Sequence, residues 1–293
     1  MKKKFLVCSN IIILALFLIV ASKNNSKFVE LEEKDYAKVF STEITGNLIN
    51  QNKFIEDIAM NTNSKEVLRW GIRRNKDHNI PFADPGTPEL LKKYNSYYVG
   101  DASGKKIYLT FDEGYENGYT GSILNTLKNE NVKAVFFITG PYLKGHPELV
   151  ERMIKEGHSV GNHTVNHPSL PEISDQKIKD EVRNLEYTFF KDFNEHMTFF
   201  RAPKGEYSER TLKITNDMGY INLFWSVAYD DWYRDKVRGK EYAHKMVTQN
   251  LHNGAIILLH AVSKDNAEAL GDIIKSAREL GYEFGDCKKD FVR

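Results

Sequence analysis

From Gly100 onward the chain repeats one unit: a short β-rich apolar run, a polar or glycine turn, then a stretch of helical periodicity. Parallel strands need a crossover between them, and a helix is the usual one, so this rhythm points to βα units feeding a parallel sheet. The runs are Lys106 to Phe111, Ala134 to Thr139, Ser159 to Gly161, Thr198 to Phe200, Ile221 to Val227 and Ala255 to Leu259. Helical spacing occupies Gly121 to Asn129, Glu148 to Glu156, Gln176 to Phe190, Ser208 to Met218, Tyr242 to Leu251 and Asn266 to Leu280. Units in this number predict an α/β fold, an incomplete (β/α) barrel more than an open sheet. No internal repeat of solenoid length competes with that reading.

The polar groups fall at the ends of the runs. Asp112-Glu113 follows the first, His163 the third, Arg201 the fourth, Asp230-Asp231-Trp232 the fifth, and His260 closes the sixth. In a parallel barrel all carboxyl ends of strands open onto one face, so residues far apart in sequence converge there. His163 and His167, four apart, can aim two nitrogens at one ion from a helical turn or a tight loop, although such a pair alone also fits a solvated surface. Asp112 and Glu113 can divide two tasks, one carboxylate serving a metal and its neighbour taking a proton from water; a solvated turn has the same composition. His260 emerges from an apolar run as either a core histidine or a proton donor to a leaving amine. Arg201 would hold a carboxylate such as Asp112 in its ionised form, and Asp231 would orient an imidazole.

Lysines and arginines number 41 against 40 aspartates and glutamates, a formal net charge of +1, so no global charge argument favours nucleic acid. The two cysteines, Cys8 and Cys287, leave no disulfide framework. Lys2, Lys3 and Lys4 before the apolar run Ile11 to Ala21 read as an export segment, residues 1–22, either a cleaved signal or a membrane anchor. Residues 23–69 are polar with loosely helical apolar spacing, which predicts a spacer or stalk. The cluster Pro81, Asp84-Pro85-Gly86 and Pro88 is expected to break regular structure.

Five motifs in order resemble the polysaccharide deacetylase (NodB homology) family: Thr110-Phe111-Asp112-Glu113-Gly114, His163-Thr164-Val165-Asn166-His167, Arg201-Ala202-Pro203-Lys204-Gly205, Asp231-Trp232 and Leu258-Leu259-His260. The resemblance implies a distorted (β/α) barrel that removes N-acetyl groups from sugars with a divalent metal ion, zinc first among the candidates. It casts Asp112 as catalytic base, His260 as general acid, and His163, His167 and Glu113 as metal ligands. Arg201 would pair with Asp112 and Asp231 with His260. The Lys204 main-chain N–H would serve as oxyanion donor, and Trp232 would line the substrate pocket. Two positions depart from the family: Glu113 stands where an aspartate ligand is usual, and Ala228 replaces the first aspartate of the fourth motif.

Further segments resemble the delta-lactam-biosynthetic de-N-acetylases of spore formers. They are Trp70-Gly71, Tyr97-Tyr98, Gly114 to Tyr119, Phe224 to Val227 and Ser263 to Ala269, and they extend the expected domain to residues 70–293. That resemblance implies an exported enzyme of the cell envelope or forespore intermembrane space. It would act on N-acetylmuramic acid of peptidoglycan glycan strands after an amidase has removed the peptide stem, leading to muramic δ-lactam in the spore cortex. The alternatives are a deacetylase of chitin-like N-acetylglucosamine polymers and a non-catalytic peptidoglycan-binding homologue.

Overall fold

The computed structural model of the protein describes residues 66–233 and 235–292, so the expected leader and nearly all of the spacer lie outside the described residues. Short elements come first: β1 (Leu68–Arg69), β2 (Ile72–Arg73), β3 (Phe82–Ala83), helix α1 (Thr87–Lys93) and β4 (Ser96–Tyr97). The alternating frame follows as β5 (Lys106–Glu113), α2 (Thr120–Asn129), β6 (Ala134–Ile138), α3 (Gly140–Gly145), α4 (Pro147–Lys155), β7 (Ser159–Asn162), α5 (Asp175–Phe193) and β8 (Phe199–Phe200). It continues through β9 (Glu206–Tyr207), α6 (Glu209–Asp217), β10 (Ile221–Leu223), α7 (Lys240–Thr248), β11 (Ile256–His260), α8 (Lys264–Glu279), β12 (Glu283–Phe284) and α9 (Cys287–Phe291).

Eight of these strands form one parallel sheet in the order β11, β5, β6, β7, β8, β10, β4, with β12 beside the start of β5. The sheet curls until Val227, beyond β10, meets Ile257 of β11 by a single parallel bridge. Closure by a bridge and not by a full ladder makes the barrel incomplete, as the spacing of units predicts. It also explains why the apolar run Ile221 to Val227 is only partly strand: after Leu223 the chain leaves β8 to reach β11, where Ser226 N–H donates to Ile256 O at 2.9 Å.

Strand alternation builds two apolar layers. On β5, Ile107, Leu109 and Phe111 face the helices, packing with residues such as Ile123, Leu127 and Ile273. Tyr108 faces the barrel interior with Val135, Phe137, Phe199, Leu223 and Ile256. The interior is stoppered at the amino ends of the strands by α9, whose Phe291 ring meets those of Tyr97 and Tyr108 at 5.1 and 5.0 Å. The active face is therefore the only end of the tube these described residues leave for chemistry.

The Pro/Gly cluster does not simply break structure. Gly86, at φ 79, precedes α1, and Pro88 occupies its first turn, where a missing N–H costs no helical bond. The region ahead of Gly100 is docked on the barrel: Trp70 N–H donates to Gly205 O at 2.8 Å and Trp70 Nε1 to Trp225 O at 3.0 Å.

Candidate active site

The interior parity of each strand decides which polar residues meet. Counting up β5 from Tyr108 gives Thr110 and then Asp112; from Phe199 the next inward residue is Arg201; from Ile256 the parity reaches His260. On β7 the inward position is Gly161, where a Cβ would lie 2.5 Å from the Phe137 ring, so only glycine lets that ring lie below the site. His163 follows on the same parity. One layer of polar side chains thus sits directly on the apolar filling.

Arg201 is the centre of that layer. Fully buried, its Nη1 donates to Asp112 Oδ1 at 2.7 Å, Nη2 to Thr110 Oγ1 at 2.9 Å and Nε to Leu223 O at 2.8 Å, while its guanidinium lies 4.1 Å from the Phe137 ring centroid. Burial alone would raise the Asp112 pKa, but nearby positive charge, that of Arg201 first, outweighs it and holds the carboxyl below its usual 3.8. Asp112 is thus ionised at neutral pH. One oxygen is fixed and the other, Oδ2, lies 3.5 Å from His163 Nε2. Thr110, quoted above only as part of a motif, proves to brace the guanidinium and is itself tied to Ile257 O at 2.7 Å.

The histidine pair lies in the tight loop after β7, not on a helix. Thr164 and His167 take φ 68 and φ 56, a conformation costly for a β-branched threonine. The loop is held by Thr164 N–H to Asn162 Oδ1 at 2.9 Å, and by Asn166 bonding both oxygens of the buried Glu181 at 2.8 Å. His163 Nδ1–H donates to Arg201 O at 2.8 Å, which leaves the Nε2 lone pair free and aimed at His167 Nε2, 3.2 Å away. Burial lowers both imidazole pKa values, His167 to about 4, so both are neutral at pH 7. Two neutral nitrogens at this separation suit one ion, since metal–nitrogen bonds of ~2.0–2.1 Å in tetrahedral geometry set donors about 3.4 Å apart.

Glu113 does not join them, which corrects its expected place among the ligands. The strand runs on through Glu113, whose carbonyl accepts from Thr139 N–H at 3.2 Å, so its side chain points to the opposite face from Asp112. There it is 0% exposed with both carboxylate oxygens unpartnered, close to Glu116, Thr120 and Tyr142. Among the described residues no group of three or more His, Cys, Asp or Glu side chains is arranged to hold a metal ion. Two imidazoles are what the site offers, with Asp112 Oδ2 beside them.

Burial, then the charges of Glu116 and Asp112, push the Glu113 pKa well above 4.5. Below pH 4.5 the folded and unfolded chains both carry this proton. As pH rises only the folded chain retains it, so stability is lost progressively until the folded pKa is passed. Glu113→Gln is therefore expected to leave stability unchanged near pH 4 and to raise it at pH 8, by roughly 2–4 °C in Tm for each kcal/mol recovered. Thermal melts at the two pH values check this. Unchanged zinc content in the variant checks that Glu113 is no ligand.

Beside Asp112 on the neighbouring strand, His260 Nδ1–H donates to Asp231 Oδ1 at 2.7 Å, and its backbone N–H to Oδ2 at 2.9 Å. Burial depresses the imidazolium, but the Asp231 carboxylate overrides it and the His260 pKa rises above 6.5. His260 keeps 21% of its side chain exposed, so it can still meet a ligand. Trp232, half exposed, places its ring 5.7 Å from that of His260. Asp230 turns away to Arg238 and Lys236 on the surface. Lys204 sits at the rim with φ 59, its side chain exposed and, among the described residues, without a hydrogen bond or ion pair.

A buried, ionised carboxylate close to two neutral imidazoles, with a carboxylate-backed histidine paired beside it on the neighbouring strand at the mouth of an incomplete (β/α) barrel, is the equipment of a carbohydrate de-N-acetylase. The chain belongs to the polysaccharide deacetylase family, whose model matches residues 99–223. It is 42% identical over 220 residues to the peptidoglycan-N-acetylmuramic acid deacetylase PdaA of Bacillus subtilis, covering 75% of this chain and 84% of that one. The solved structure of Bacillus subtilis PdaA, a family 4 carbohydrate esterase, matches with a TM-score of 0.75 at 41% identity, over 78% of this chain and 97% of the other. A family 4 carbohydrate esterase from Bacillus anthracis matches with a TM-score of 0.65 at 40% identity over the same shares.

Proposed function

We propose that this chain hydrolyses the N-acetyl group of N-acetylmuramic acid in peptidoglycan whose peptide stem has been removed. The observation that carries the reaction is the pinned Asp112: one oxygen tied to Arg201, the other beside the histidine pair, with His260, its pKa raised by Asp231, on the neighbouring strand. Asp112 takes the proton of the attacking water as its oxygen adds to the acetamide carbon. The carbonyl oxygen gains charge and meets the Lys204 main-chain N–H, which the left-handed turn presents at the rim. His260 then protonates the sugar nitrogen, the C–N bond breaks, and acetate and a free amine leave. His163 and His167 would hold a divalent ion, zinc first among candidates, which supplies polarisation of the carbonyl when bound. Activity is expected to fall on the acid side as the imidazole pair, His167 titrating near pH 4, takes up protons, and on the alkaline side as His260, raised above 6.5, loses its proton; a kcat/KM profile checks both limbs.

The muramic substrate is supported by the similarity to PdaA and by the Lys204 ammonium. N-acetylmuramic acid differs from N-acetylglucosamine by a lactyl ether next to the acetamide, and removal of the stem leaves its carboxylate free. An unpaired rim cation meets that group and finds nothing in a chitin-like chain. Lys204→Met keeps the main-chain donor, so it is expected to raise KM for amidase-treated peptidoglycan roughly five- to tenfold, equivalent to about 1–1.4 kcal/mol. Turnover of chitooligosaccharide should not change. Acetate release from the two substrates decides the reading: preference for chitooligosaccharide would replace it. In this scheme the product amine closes on the lactyl carboxyl of its own sugar to give muramic δ-lactam, in the spore cortex, after export of the enzyme to the envelope.

A further inference from the structure

Asn266 is completely buried at the third position of α8, whose N-cap, Ser263, accepts its backbone N–H at 3.3 Å. Side chains in a first helical turn lean back toward the helix start, here toward the end of β11. Its amide nitrogen donates to Asp231 Oδ2 at 2.5 Å and to His260 O at 3.1 Å, and its oxygen accepts the Tyr229 hydroxyl at 2.5 Å. Every polar atom of the side chain is spent. A carboxylate accepts only, so Asp231 fixes which end of the amide faces it, and the Tyr229 hydroxyl donates to the end that remains.

We propose that Asn266, backed by Tyr229, is the positioning residue of the proposed acid, locking Asp231 and the His260 backbone into one unit. The inference rests on His260 acting as the acid. Asp231 receives three N–H donors, two from His260 and one from Asn266, and only the last comes from another element. Without it the carboxylate can swing with the loop after β10, and the imidazole loses its fixed aim. The charged groups facing His260 are Asp231 and Asp112, which favour its proton, and Arg201, which opposes it; the neutral His163 and His167 face it across the mouth. Asn266 adds no charge, so its effect passes through the Asp231 carboxylate.

Asn266→Leu keeps the volume and removes the donor. It is expected to lower kcat by roughly 10–100-fold with KM within about twofold, and to lower the His260 midpoint because the Asp231 carboxylate is no longer held against the imidazolium. Tyr229→Phe, which removes one hydroxyl, should do the same to a smaller extent. The His260 midpoint is read by NMR titration of the imidazole in the full chain, independently of turnover. Wild-type kcat and an unmoved midpoint in folded Asn266→Leu overturn the proposal. If that variant does not fold, an unmoved midpoint in Tyr229→Phe overturns it. His260→Gln with full turnover would instead remove the acid assignment on which the proposal rests.

Discussion

Replacing Asp112 by Asn is expected to cut acetate release by roughly 10²–10⁴-fold while the fold persists. The amide oxygen can still accept from Arg201 Nη1, so the interior layer keeps its geometry, but the ionised carboxylate beside the histidine pair is gone. The loss should fall on kcat and not on KM, since Asp112 contributes to the transition state more than to binding. Single-turnover acetate release on amidase-treated peptidoglycan, with a circular dichroism melt as the folding control, measures it. Turnover near wild type would remove Asp112 from the role of base.

Arg201→Met should produce the largest loss of stability of any single change in the site, about 3–5 kcal/mol. The cost arises because Asp112 stays behind, buried and without its main cation, and its pKa climbs as burial is less opposed. Arg201→Lys will not rescue it, because an ammonium cannot reach Asp112, Thr110 and Leu223 O together as the fork does. The double variant Asp112→Asn, Arg201→Met should recover much of the lost stability, since it removes both buried charges. Urea melts of the four proteins test the coupling; additive losses would mean that the two residues act independently.

The same residues indicate what a sequence can and cannot disclose here. β5, β6 and β11 are continuous apolar runs, so their positions and the polar residues at their ends are legible directly. α1 is not, because the Gly and Pro that start it are also the residues that end other elements. Glu113 turns on a single residue: if β5 stopped at Asp112 the carboxylate could swing to the histidines, and because it continues one position further the side chain faces the helices. Apolar spacing does not locate a strand end that finely. Asn266 and Thr110 went without a role because their partners lie in other elements, and only the folded chain brings Asp231 to one and Arg201 to the other.

The pairing of β5 with β11 sets an order on how this site can come into being. Tyr108 pairs with Ile256 and Asp112 with His260, so β5 gains its β11 neighbour only after most of the chain has been made. Loop closure over such a span is slow, and the stopper at α9 arrives later still. A nascent chain therefore carries Asp112, Arg201 and the histidine pair before His260 is in place. The pocket is complete only once the last βα unit has been added.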